Sequence, residues 1–295
     1  MEKALVLTNS IKKYKGFQLG PISFELESGI VCGYIGPNGA GKTTTMHCIS
    51  GLIKTNGGTI EIFGRKNDIN HPEWKHNIGY VGDYNPFYEN WTGTKNLKII
   101  SKFFPSWSDH TVQELAYRFN AQLDKPVKSL STGNRLKLAL ISVLARSPRL
   151  LLFDEPTAGL DPVVRAEVLD VLFEILEKGD SSIFYSTHIL SDISRLADDL
   201  VFLKNGKIIL RKAKDDLTDN WRKITFRLDK QYSTFEAVVK VRQEEREYQL
   251  ISSNYQATIR QLRSIGAENI QENRLTIDEI AVEILKGGSD VISSL

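Results

Sequence analysis

Cysteine and methionine are scarce in this chain of 295 residues, at two each. Cys32 and Cys48 are too few for a disulfide framework, and no nearby histidine completes a metal-ligand spacing, so a stapled mini-fold and a zinc module are both excluded. A reducing cytoplasm is the compartment expected. Surplus charge of one sign is missing as well: 38 basic residues stand against 36 acidic ones, a net of +2. Such a balance advertises neither a nucleic-acid surface nor an anionic-membrane surface, and no nucleic-acid partner is expected. Long apolar runs are also lacking. The longest apolar-rich region, 136–153, is interrupted by Lys137, Arg146 and Arg149 and broken at Pro148, well short of the roughly 20 apolar residues that cross a bilayer. The N-terminal segment is charged after one residue and carries no apolar stretch with a small-residue cleavage site, so no signal peptide is expected. No internal repeat or low-complexity tract is present. What is there is a hydrophobic fraction of 41%, ample for one large domain and a small one.

The strongest chemistry lies near the N-terminus. Residues 30–35 form a β-prone run that feeds directly into GPNGAGKTTTM and then a helical stretch to about residue 53. The spacing is G-x-x-x-x-G-K-[ST] between a strand and a helix. Gly36, Gly39 and Gly41 let backbone N–H groups wrap a polyphosphate, and the helix N-terminus adds its dipole there. Lys42 would reach the β- and γ-phosphates, the Thr43 hydroxyl would ligate Mg²⁺, and Asn38, Ala40 and Thr44 complete the cradle. The second half of such a site is an apolar strand ending in a carboxylate, and Leu150-Leu151-Leu152-Phe153-Asp154-Glu155 has that form. Asp154 is the metal-side carboxylate. Glu155 is placed to orient and polarise an attacking water. At 130–140, LSTGNRLKLAL opens a helix with Ser131 as its cap and Leu136, Leu140, Val143 and Leu144 on one apolar face.

With LSTGN, DEPTAGLDP and YSTH in this order, residues 1 to about 217 closely resemble the ATP-binding subunit of bacterial ABC transporters of the export type. The resemblance implies an α/β fold: a P-loop NTPase core with an antiparallel β subdomain and a helical subdomain over about 85–145. It implies ATP and Mg²⁺ as cofactors. By resemblance, Tyr14 stacks on adenine, His188 contacts the γ-phosphate and Asp161 sits at a subunit contact. The same resemblance assigns Ser131, Gly133 and Asn134 to a nucleotide held by a second subunit, so that ATP joins a homodimer or a heterodimer with another such ATPase. Asp83 stands where the family usually places a Gln; it either serves Mg²⁺ and the water or merely starts a turn ahead of Asn85-Pro86. The stretch YNPFYENWTG is either the surface that receives a coupling helix from a transmembrane permease subunit or an ordinary surface loop. The implied location is cytoplasmic and peripheral, on the inner face of the membrane.

Beyond residue 210 the resemblance fades through RKAKDDLTDN, which reads as a linker. Residues 218–295 are expected to form a small α/β accessory domain, with strands at 223–228 and 247–251, an apolar-striped helix at 255–265 and another at 275–285 ending in LKGG. The function expected is an ATP-hydrolysing motor subunit that dimerises around two ATP molecules and drives a separate transmembrane subunit, for export of a drug, antibiotic or peptide. A soluble ATPase acting on a ribosome or nucleic-acid complex and a non-hydrolysing regulatory partner are the alternatives. One ATPase unit without heptads weighs against the first, and Glu155 with His188 against the second.

Overall fold

The computed structural model describes residues 2–82, 85–177, 181–229, 232 and 234–292. The chain opens with a hairpin of β1 (Lys3–Tyr14) and β2 (Phe17–Glu27), followed by the fully buried β3 (Val31–Ile35) and α1 (Lys42–Ile49). Next come β4 (Gly57–Ile62), β5 (Arg65–Lys66) and β6 (Ile78–Val81). Three helices follow, α2 (Gly93–Ile100), α3 (Asp109–Arg118) and α4 (Thr132–Leu144). Each starts at a hydroxyl that accepts an orphan amide of its first turn: Thr92 from Lys95, Ser108 from Thr111, Ser131 from Asn134. Strands and helices then alternate as β7 (Leu150–Asp154), α5 (Pro162–Glu177), β8 (Ser182–Thr187), α6 (Leu190–Leu196), β9 (Asp199–Lys204), β10 (Lys207–Ala213) and α7 (Lys214–Asn220). The remainder is β11 (Arg222–Arg227), β12 (Val238–Glu244), β13 (Glu247–Ser252), α8 (Tyr255–Ser264), β14 (Glu268–Arg274) and α9 (Ile277–Ile292).

Among the described residues the strands form three sheets, in the orders β2-β1-β4-β5, β10-β9-β3-β8-β7-β6 and β12-β13-β11-β14. In the six-stranded sheet β3 pairs in parallel with both β8 and β9, and β7 in parallel with β6 and β8; only the hairpin β9–β10 is antiparallel. Its strands are near-continuous apolar runs because both faces are covered. Side-chain alternation divides them between two cores. Val31 and Ile35 of β3 and Leu151 and Phe153 of β7 face the core shared with the helices, whereas Cys32, Tyr34, Leu150 and Leu152 face the antiparallel sheet. Both cysteines are buried in that second core, and burial pushes the Cys48 thiol up to about 11. The expected P-loop α/β architecture, with an antiparallel β layer and a helical region after residue 85, is therefore what the chain adopts.

The C-terminal region departs from expectation in two places. The stretch read as a linker is structured, ending β10 and forming α7, because Leu217 is 2% exposed and packs with Trp221 into the core beneath the main sheet. The last helix does not stop at Gly287-Gly288; α9 runs on to Ile292. Strands β12 and β14 escaped notice because their charged and amide residues leave little apolar alternation. The third sheet has its own core, in which Ile224, Phe226, Tyr248 and Leu250 pack against Leu262 of α8. Helix α9 belongs elsewhere: Ile277, Ile280, Ala281 and Ile284 join the core of the main sheet. It is also tied across by a hydrogen bond from Lys204 Nζ to the Leu285 carbonyl and an ion pair of 3.0 Å between Lys240 and Glu283.

Ile280 is fully buried in this seam, so Ile280→Ala is expected to lower the unfolding free energy by about 2–5 kcal/mol through lost burial and the cavity left behind. Urea unfolding measures it, and a loss under about 0.5 kcal/mol, the range of exposed surface sites, would contradict the packing of α9.

Candidate functional site

The glycine loop after β3 is shaped by close contacts as much as by backbone freedom. A Cβ on Gly36 would stand 2.5 Å from the Leu203 carbonyl oxygen, which leaves no room for any other residue. Gly41 sits at φ 109°, and a Cβ there would meet Leu19 at 2.8 Å and Phe17 at 3.1 Å. Gly39, at φ 78°, has no atom within 4 Å of such a Cβ, so the crown of the loop faces open space. Ala40 is buried and its carbonyl accepts from the Gly206 amide at 3.0 Å, while Asn38 and Thr43 are exposed and Thr44 half-buried. Helix α1 starts at Gly41 with no side-chain cap, leaving its first-turn amides for an anion.

Lys42 is 4% exposed, and its ammonium donates to the carbonyls of Gly36 at 2.8 Å and Pro37 at 3.2 Å. The same ammonium lies 2.9 Å from Glu155 Oε1, and Glu155 Oε2 lies 2.8 Å from His188 Nδ1. Glu155 is thus a bridge between the lysine of the glycine loop and the histidine after β8. Its backbone is at φ 49°, a left-handed conformation costing a non-glycine residue about 1 kcal/mol or more. The Ser186 carbonyl holds it there by accepting the Glu155 amide at 3.0 Å. Asp154 is 4% exposed and accepts from the Ser186 hydroxyl at 2.5 Å. Burial works against the Glu155 charge, but the Lys42 ammonium, followed by the His188 ring, outweighs it and holds the carboxyl below the usual carboxylate range. Ser186 was not foreseen; it reaches Asp154 only because the parallel register sets the two opposite each other.

Among the described residues, the other expected ones make no hydrogen bond to Lys42, Glu155 or His188. Tyr14 ends β1 and is 49% exposed, with the Lys12 ammonium 5.5 Å from its ring; the ring of its hairpin partner Phe17 lies beside Gly41, 3.1 Å from where a Cβ would stand. Ser131 accepts from the Asn134 amide at 3.3 Å and side chain at 3.2 Å, and a Cβ on Gly133 would meet Val164 of α5 at 3.1 Å. Among the described residues, no hydrogen bond of that turn reaches residues 36–44. Asp161 accepts from the amides of Val163 and Val164 at 3.0 and 3.1 Å, capping α5 at an exposed position. Asp83 and Tyr84 lie outside the described residues. The aromatic stretch that follows divides: Phe87 is buried, whereas Tyr88 is 61% exposed with its ring 4.5 Å from Trp91, over which the Lys95 ammonium sits at 4.0 Å. An apolar groove of about 390 Å³ adjoins it, lined by Leu52, Tyr80, Pro86, Ile100 and Phe104.

Residues 19–158 match the family model described as ABC transporter. The ABC transporter ATP-binding protein YtrB of Bacillus subtilis (strain 168) is 33% identical, over 72% of this chain and 72% of that protein. The bacitracin transport ATP-binding protein BcrA of Bacillus licheniformis is 33% identical, over 77% of this chain and 76% of its own. A solved structure of the ATP-binding subunit of an ABC transporter is 27% identical and superposes with a TM-score of 0.66, over 73% of this chain and 92% of that one.

Because the Glu155 carboxyl is depressed in the folded chain, its contribution to stability is present at neutral pH and lost as pH falls through that lowered value. The gap in thermal midpoint between the wild type and Glu155→Gln is therefore expected to shrink as pH falls below about 5, from the ordinary carboxyl range downward. Calorimetry across that interval checks it, and a gap that widens toward acid would contradict the geometry of the cluster.

Proposed function

Since the chain belongs to the ABC transporter ATP-binding proteins and is an ATPase of that family, we propose that it works as the motor of an exporter, pairing around two ATP molecules and driving a separate transmembrane subunit. The observation that carries this reading is the Glu155 carboxylate held between Lys42 and His188, at 2.9 and 2.8 Å, beside the open crown of the glycine loop. Lys42, Thr43, Thr44 and the amides of 36–41 hold the phosphates, and Tyr14 stacks on the base. On phosphate binding the Lys42 ammonium gains a second anionic partner and loosens its hold on Glu155, which then orients water with His188 beside it. Mg²⁺ is ordinarily held by one or two carboxylates with substrate phosphates and water; Asp154 with the Thr43 hydroxyl would supply the protein share here, and Asp83 is the further candidate. Bound, the ion neutralises charge developing on the phosphoryl oxygens.

Ser131, Gly133 and Asn134 serve the nucleotide of the partner subunit, and Asp161 sits at the subunit contact. Support comes from the exposure of Ser131 and Asp161, from the hydroxyl-capped start of the thirteen-residue α4, and from the packing of Gly133 on Val164, which holds the two turns together. Among the described residues no helix is long and apolar enough to cross a membrane, which supports a peripheral subunit on the inner face whose passage is formed by another chain. Tyr88, Trp91 and the adjoining apolar groove are the surface offered to that chain. The likeness to the bacitracin transport protein supports a drug, antibiotic or peptide as cargo. Residues 218–295 are read as an accessory unit whose last helix is anchored in the main core; among its described residues there is no catalytic cluster.

Lys42→Ala is expected to abolish ATP binding measurable by calorimetry at micromolar concentrations; retained micromolar affinity would refute the cradle. Glu155→Gln is expected to double the solution mass when MgATP is added, because hydrolysis no longer releases the sandwich. A mass unchanged by MgATP would reject the pairing of identical chains.

A further inference from the structure

One buried carboxylate has no part in that reading. Asp192 of α6 is 0% exposed and fully partnered. Its Oδ1 accepts from Arg165 Nε at 2.6 Å and lies 2.5 Å from a second nitrogen of the same guanidinium. Its Oδ2 accepts from the Thr157 hydroxyl and, at 3.3 Å, from the Tyr185 hydroxyl; Thr157 and Tyr185 are themselves 3.2 Å apart. Arg165 also donates to the Ser191 hydroxyl at 2.6 Å. These residues come from four different elements. Thr157 lies on the loop just after Glu155, Arg165 on α5 one turn beyond Asp161, Tyr185 on β8 just before His188, and Asp192 on α6 one turn after it.

Packing alone would be served as well by apolar residues, because desolvating a carboxylate and a guanidinium offsets most of their attraction. What the charged network adds is geometry: a planar guanidinium and two hydroxyls converge on one carboxylate in fixed directions. We propose that Asp192 is a positioning residue, locking the loop that carries Glu155, the helix behind Asp161 and the helix behind His188 into one body. The water-directing carboxylate, the histidine and the partner-facing turn then keep their relative places through turnover. This rests on the roles given to Glu155 and His188 above. Neither Lys42 nor residues 36–44 belong to the network, so its loss acts on turnover and leaves nucleotide affinity alone.

The test uses the full chain with Thr157→Val, which removes one hydroxyl and no charge, and Asp192→Asn, each checked for a folded state by circular dichroism. Thr157→Val is expected to lower kcat by about threefold to tenfold, the scale of one lost hydrogen bond, with the Kd for ATP within about twofold of wild type. Asp192→Asn is expected to lose at least about tenfold in kcat, as its bond is to a charged group. In a His188→Ala background Thr157→Val is expected to cost nothing further, because it acts through the placement of that pair, whereas a general loss of fold would multiply. Wild-type turnover in folded Thr157→Val, an effect confined to ATP affinity, or a full second loss in the His188→Ala background each overturns the proposal. If Asp192→Asn fails to fold, Thr157→Val decides alone. Glu155→Gln is run alongside: full activity there brings down the site reading and this inference with it, whereas an inactive Glu155→Gln beside unaffected network variants sinks the Asp192 proposal only.

Discussion

Everything at the site depends on the in-register parallel pairing of β3, β7 and β8. Ile35 pairs with Thr187 and Asp154 with Ser186, so the glycine loop, the Asp-Glu pair and His188 leave the sheet at the same edge, at the carboxyl ends of the strands where open α/β sheets bind their ligands. A slip of one residue in either pairing would turn every buried side chain of that strand to the opposite core. Register is therefore enforced by two apolar cores at once. The geometry of the site inherits that precision.

Much of this was legible in the residues. The glycine loop is recognisable because its spacing is dictated by a ligand that must be wrapped by backbone, and a short apolar strand leads directly into it. Leu150–Phe153 is legible for a similar reason, as an uninterrupted apolar run closing on two acids. Less could be seen where function arises from residues distant in sequence. Ser186 looks like one more polar residue at a strand end until register sets it against Asp154. Thr157, Arg165, Tyr185 and Asp192 carry no pattern, since nothing in their spacing says that three donors will meet on one carboxylate. In the third sheet, β12 and β14 were missed because a strand at a sheet edge with a solvated face has little hydrophobic alternation to display. The stretch at 211–220 misled through composition: Arg211 and Lys212 end β10, and the remaining charges belong to a short helix whose inner side holds Leu217.

Chemically, the cluster of Lys42, Glu155 and His188 is an ion pair extended by a histidine. In the proposed reading, the carboxylate that directs water is also the internal counterion of the lysine that holds phosphate. Such an arrangement makes the two steps interdependent, because charge arriving near Lys42 alters the field at Glu155. It also explains why a left-handed glutamate is tolerated: its amide is secured by Ser186 and its side chain by two partners, which together offset the backbone cost.

Helix α9 places residues from far along the chain into the core beneath the ATP-handling sheet, over Leu217 and Trp221. During synthesis those two side chains emerge from the ribosome long before their cover does, and the intervening third sheet must be made first. The nascent chain therefore passes through an interval in which its principal core is open on one flank, a window for chaperone engagement or for mispairing with another growing copy.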